Sequence, residues 1–409
     1  MSNTAASKKR KRESKQKPTE MPEVPDKHSL FTQWSRDRGV EINNVKAAAL
    51  PGRGIGLVTT SKIESGDRMM FVPEKAMFKP DANVFGKNTS KEWHRKASPQ
   101  AQLAVSIAQE CSKEDSPILT WKATWPTFGD IKASMPLFWS EELRCHLPHS
   151  VQQPLERQIA DFEKDKAVLK EFDDLTDGWA GEPFEYYWAI VNSRSFHFKP
   201  AGARPGFMVL CPFIDYMNHG PDKTGVVVRQ TQRGYEVHAD RDYGVGEEIL
   251  ATYGAHPNDK LLVHYGFVNS SEPGQPTDDD IRLDHIVLPD MPETTREALQ
   301  DVGFLGGYAL LPGTNELCFK TEVAVRAILL TANEWEYFIA NGEDLSGDQS
   351  GKAREWLIPR MQVYRKTAVS RLEELDELEV RSGEQEALRL LKVRWRQIRD
   401  AVDAFLAAE

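Results

Sequence analysis

The chain has 409 residues, with 52 Lys and Arg against 62 Asp and Glu, a formal net charge of −10. That length is too great for one ordinary core, so two domains or one domain with a large insertion are expected. The negative balance argues against general nucleic-acid binding by the folded part. No uninterrupted apolar run is long enough to span a bilayer.

In chain order, residues 1–27 are polar and carry the basic run Lys8-Lys9-Arg10-Lys11-Arg12. They hold too little apolar surface to fold and read as a disordered tail. The basic run is the form of a nuclear-import signal, so a nuclear or cytoplasmic location is expected; a merely solvated tail is the alternative. No apolar signal-peptide core begins the chain, which argues against secretion. Cys111, Cys145, Cys211 and Cys318 are far apart and form no C-x-x-C pair, which argues against a zinc ribbon or a disulfide framework and fits a reducing compartment.

A short helix is predicted over 28–40, with Phe31 and Trp34 facing inward. The glycine-rich GRGIGLVTT at 52–60 is neither a Walker loop, since Gly-Lys-Ser/Thr is missing, nor a dinucleotide fingerprint, since no βαβ unit follows. Residues 63–73 read as turn, strand, proline. Helices are predicted over 92–110 and 151–172, and Ser140 is placed to cap a helix that buries Leu143 and Leu147. Short antiparallel strands are predicted at 225–228, 234–239 and 249–252. From about 277 the chain turns helical, over 294–302, 321–341 and 352–380. Beyond these, Leu388, Leu391, Trp395, Ile398, Val402 and Phe405 recur at three- and four-residue steps, one apolar helical face.

The informative stretch is GEEILATYGAHPNDKLLVHYGFV at 246–268, where Tyr253 and Tyr265 each precede a glycine that permits a bend. Upstream, PFIDYMNH at 212–219 sets an Asn-His pair behind an apolar segment. The ordered pair resembles the SET-domain methyltransferases, in particular the Rubisco large-subunit lysine methyltransferase branch, with the pattern carried by Asp215, Asn218, His219, Gly246, Glu247, Glu248, Tyr253, Gly254, Asn258, Leu261, Leu262, Tyr265, Gly266 and Phe267. MPLFWSEEL at 135–143 is similar to a further segment of that branch.

The resemblance implies an α+β fold: a SET domain of short antiparallel strands with a pseudoknot over 28–270, a helical insertion at about 91–191, and an all-helical substrate-binding domain over 271–409. It implies a protein-lysine N-methyltransferase using S-adenosyl-L-methionine, with no metal. Gly54, Ile55 and Gly56, Arg194, Asp215, Asn218, His219, Tyr253 and Phe267 would hold the cofactor. Arg194 would take its carboxylate, a pairing suited to a guanidinium fork. Tyr253 would be the catalytic residue, and Phe196, Ala251 and Tyr265 would wall the channel for the substrate lysine. Phe196 fits the lysine-specific pattern; the actin-histidine branch carries a polar, Asn-containing segment there. The implied partner is a protein substrate, histone or ribosomal, with no membrane.

Other readings follow from the residues themselves. Asp215 and His219 are four apart, as metal ligands can be, but no third ligand has a recognised spacing. No G-x-S-x-G elbow supports a serine hydrolase. A SET module that only binds a partner is the rival from another class.

Overall fold

The computed structural model describes residues 26–172, 176, 179, 181–200, 206–269, 277–314, 316–345 and 349–408. The basic run at 8–12 lies outside the described residues. The first helix, Asp26–Asp37, opens two residues before its expected start, with Asp26 in the first turn where a carboxylate complements the helix dipole. Lys27, assigned by sequence to the tail, is therefore helical. Phe31 is fully buried and stacks on Trp121 with ring centres 5.7 Å apart, which docks the helix on the helix Ile118–Lys122.

Four strands follow: β1 (Glu41–Ile42), β2 (Val45–Leu50), β3 (Gly54–Thr59) and β4 (Arg68–Pro73). Six more, β5 (Ser195–Phe198), β6 (Phe207–Leu210), β7 (Asn218–His219), β8 (Val227–Thr231), β9 (Gly234–His238) and β10 (Glu248–Ala251), come after a run of helices. They form two four-stranded sheets, in the orders β1-β4-β9-β8 and β2-β3-β10-β7, while β5 pairs with β6. Strand β10 runs antiparallel to β3 but parallel to β7, with Leu250 opposite Asn218 and Ala251 opposite His219. The short antiparallel strands expected over 225–252 are present, and the parallel pairing involves β7, for which no strand was expected. The chain leaves β7, builds the β8–β9 hairpin in the other sheet, and returns beside β7 in the same direction.

Between β4 and β5 the helices run from Lys87–Lys96 to Phe184–Arg194. Ser98 caps Pro99–Cys111 by accepting from Ala101 N, and Ser140 accepts from Leu143 N at 3.4 Å as its position predicts. In the C-terminal part the single helix expected over 321–341 is two, Phe319–Leu329 and Ala332–Asn341. Thr331 and Glu334 make a capping box there, which starts a new helix and ends the periodic reading.

One apolar core lies between the sheets and the Pro99–Cys111 and Phe184–Arg194 helices. A second holds Gln349–Glu377 against Gln385–Ala407 through Leu357, Met361, Leu391, Trp395, Ile398 and Phe405. Trp139, Leu143, Leu147, Val151 and Leu155 belong to this second core, and Trp395 Nε1 donates to His146 O at 2.7 Å.

Candidate active site

Tyr253 lies two residues beyond Ala251, the last residue of β10, and is held at both ends. Its amide donates to His219 Nδ1 at 3.1 Å and its hydroxyl donates to Met217 O at 2.7 Å. Its ring lies 5.0 Å from that of Tyr265, 5.1 Å from that of His219, and edge-on to Phe267 at 6.4 Å. The helix Asn258–Tyr265 brings Tyr265 here and stops at Gly266, whose left-handed φ of 74° turns the chain so that Phe267 comes back against Tyr253. A side chain at Gly266 would meet Ser134 Oγ at 2.8 Å. The bend therefore needs glycine for conformation and for space.

Arg194 is the last residue of its helix. Its Nη1 donates to Asp215 O at 3.2 Å and lies 3.6 Å from Asp215 Oδ2. The Asp215 side chain is 3% exposed and also accepts from Trp121 Nε1 at 3.3 Å. Burial pushes its carboxyl up to about 6, opposed by Arg194. Its Oδ1 has no hydrogen-bond partner among the described residues. The turn that presents Asp215 starts at Phe213, a buried non-glycine residue at φ 73°, ψ −42°, strain of the kind that collects at functional sites.

Asn218 donates to Glu248 Oε1 at 3.0 Å, and Arg53 bridges Glu248 at 3.3 Å and His219 O at 3.0 Å. Burial lowers the His219 ring to about 4, so it is neutral at pH 7 and its Nδ1 remains an acceptor for Tyr253. Burial raises the Tyr253 phenol to about 12.

Two cavities meet at this cluster. The larger, about 490 Å³, is lined by Gly54, Ile55, Arg194, Asp215, Asn218, Tyr253 and Phe267 among others. The smaller, about 310 Å³, is lined by Phe196, Ala251, Thr252, Met217 and Val228. Ser193, Arg194, Asp215, Tyr253 and Tyr265 line both.

Two residues expected at the cofactor stand apart from both cavities. Gly56 sits with its open side on Leu50 and Asn218, where a Cβ would come within 2.5 and 2.7 Å. His219 lines a different cavity, of about 510 Å³, beside Arg53 and His256. Asp215 and His219, spaced like metal ligands, are committed instead to Arg194 and Tyr253. Among the described residues no group of three or more His, Cys, Asp and Glu is placed to hold a metal ion.

Residues that sequence reasoning passed over also line the larger cavity: Lys27 and His28 from the first helix, and Trp125 and Met135 from the helical run. Ser193 was within reach, as the neighbour of Arg194 in the same short segment. Met135 opens the MPLFWSEEL segment, to which the sequence assigns no site role, and Lys27, His28 and Trp125 carry no local signal.

Residues 54–254 match the SET domain family model. The human SET domain-containing protein 4 is 24% identical over 262 residues, 59% of this chain and 58% of that protein. The Schizosaccharomyces pombe ribosomal lysine N-methyltransferase set11 is 28% identical over 176 residues, 42% of each. The Xenopus tropicalis actin-histidine N-methyltransferase is 25% identical over 267 residues, 58% of this chain and 42% of that protein. The chain thus spans less than two thirds of the length of these curated relatives. A solved structure of Rubisco LSMT bound to sinefungin and monomethyllysine superposes with a TM-score of 0.57 at 18% identity, covering 93% of this chain and 92% of that one. At that identity the likeness is one of fold. Over residues 54–254 the chain is a SET domain, related in sequence to SET-domain methyltransferases and sharing its fold with Rubisco LSMT.

Proposed function

We propose that the chain is an S-adenosylmethionine-dependent protein-lysine N-methyltransferase. The observation that carries this reading is the meeting of two cavities at Tyr253, Tyr265 and Arg194. A methyl donor and an acceptor that enter from opposite sides need such a junction.

The larger cavity has the groups the cofactor requires. Gly54 lines it with no side chain in the way, Arg194 offers a cation for the carboxylate, and Phe267 offers an aromatic face for adenine. The unpartnered Asp215 Oδ1 is an acceptor for the amino group. When bound, S-adenosylmethionine supplies a sulfonium methyl open to in-line attack by a neutral amine. The chain's part is alignment and exclusion of water. With its pKa at about 12, Tyr253 stays a phenol at neutral pH and is no general base. Because its proton is given to Met217 O, its oxygen lone pairs are left to face the methyl and the amine. The smaller cavity, walled by Phe196 and Ala251, favours the uncharged amine by desolvation.

Lysine is favoured over histidine because the wall at 196 is a phenylalanine, which cannot hydrogen-bond a second imidazole nitrogen. A histone or a ribosomal protein is the proposed substrate class, and the basic run at 8–12 supports a nuclear one. The test is to incubate the protein and S-adenosylmethionine with core histones, ribosomal subunits and cell extract, and to map the modified residue by mass spectrometry. Methyl-lysine is expected. Methyl-histidine as the product would overturn the assignment of the acceptor.

A further inference from the structure

The first helix forms one wall of the larger cavity, and the proposed function gives it no role. Lys27 and His28 line the larger cavity together with Arg194 and Asp215. The helix is firmly seated: Phe31 stacks on Trp121 and meets Tyr216 edge-on at 5.5 Å, and Trp34 lies 5.6 Å from Phe31. His28 is 3% exposed and its Nδ1 lies 2.7 Å from the Tyr216 hydroxyl. With the phenol donating to Nδ1, the neutral ring carries its proton on Nε2, which has no hydrogen-bond partner among the described residues. Tyr216 follows Asp215, whose carbonyl accepts from Arg194, so the helix meets the cavity on its Arg194 side.

The charges of the cavity wall point the same way. Arg194 is matched by Asp215, and Arg53 by Glu248. Asp130 is turned to the amide and hydroxyl of Thr127. Lys27 is exposed, and among the described residues no carboxylate pairs with it. Among the described residues it is the cation of this wall left without a counter-charge, and the methyl donor carries one carboxylate.

We propose that Lys27 and His28 bind the α-carboxylate of S-adenosylmethionine together with Arg194, which makes the first helix a working part of the cofactor site. This rests on the reading of the larger cavity as the cofactor site. Lys27 supplies the charge, and the Nε2–H of His28 supplies a fixed donor.

The experiment compares two ligands by calorimetry on the full chain: S-adenosylhomocysteine, and 5′-methylthioadenosine, which keeps the nucleoside and the thioether but lacks the amino-acid end. Lys27→Ala is expected to weaken S-adenosylhomocysteine by about two- to fivefold, the range of an exposed charge contact, and to leave methylthioadenosine unchanged. Lys27→Arg should bind both as the wild type does, and the loss in Lys27→Ala should shrink in high salt. Lys27 is exposed, so its replacement leaves the fold intact. Unchanged S-adenosylhomocysteine binding by Lys27→Ala, or an equal loss for both ligands, would overturn the proposal. A wild type that binds neither ligand would instead overturn the reading of the cavity on which it rests.

Discussion

Arg394 lies on Gln385–Ala407 with no solvent exposure of its side chain. Its Nε is 2.6 Å from Asp259 Oδ1 and its Nη1 is 2.6 Å from Asp279 Oδ2. Asp259 is the second residue of the helix that ends at Tyr265, and Asn258 beside it donates to Asp279, Gln397 and Asn269 O. The C-terminal helix is thus joined through buried charges to the element that places Tyr265. Arg394→Met would keep the volume, leave the Asp259 carboxylate, 4% exposed, without its partner, and leave Asp279 with only its Asn258 donors. Breaking a buried pair in this way costs about 3–5 kcal/mol. With an unfolding entropy of roughly 2 cal/mol/K per residue, a cooperative unit of this size would lose on the order of 5 °C in Tm.

Adding Asp259→Asn to Arg394→Met should recover part of the loss, because the buried anion is removed along with its partner. Scanning calorimetry of the three proteins at pH 7 is the assay. A Tm for Arg394→Met equal to wild type, or no recovery in the double variant, would refute the reasoning.

Two further outcomes follow from the site. Gly56→Ala would press a Cβ on Leu50 and on the Asn218 amide, an overpacking cost of about 1–3 kcal/mol; a lower Tm together with weaker S-adenosylhomocysteine binding is expected, and wild-type behaviour in both would contradict the role given to this glycine. His219, His264 and His285 are each lowered by burial to about 4, so the stability they contribute is fully present above about 6.5 and lost as pH falls from there toward 4. Asp215 acts in the opposite sense: its carboxyl is raised from 3.8 to about 6, so its contribution is lost as pH rises through that window. The three histidines outweigh it, and urea melts should show stability declining from pH 6.5 to 4; a flat profile would contradict the buried neutral state of these rings.

The parts of the site that were legible in the sequence are those whose constraints are local. Gly266 must adopt a left-handed turn between Tyr265 and Phe267, and Arg194 ends an apolar helix just ahead of Phe196; both leave a mark in a few adjacent residues. The apolar face of the last helix was legible for the same reason, since Leu391, Trp395, Ile398, Val402 and Phe405 keep helical spacing and all are buried. Arg394 was not, because nothing near it in the chain tells a buried arginine from a surface one. Its partner Asp259 is 135 residues away. Lys27 was read as tail because its neighbours are polar, and its place at the cavity depends on Phe31 reaching Trp121 and Tyr216. The parallel pairing of β7 with β10 was hidden as well, since a two-residue strand has no periodicity to read. The ring of His219 illustrates a finer limit: the motif fixes the residue, but the hydrogen bond from Tyr253 N decides which side of β7 it serves.

The central claim is methyl transfer to lysine at the junction of the two cavities. Its most direct measurement is transfer of labelled methyl from S-adenosylmethionine to a panel of core histones, ribosomal subunits and extract proteins, with wild type and Tyr253→Phe run side by side. The account predicts a label on lysine that falls sharply in the variant, because the hydroxyl anchored on Met217 O is gone. An absence of both label and cofactor binding in the wild type would contradict it and leave a SET domain that serves only to bind a partner.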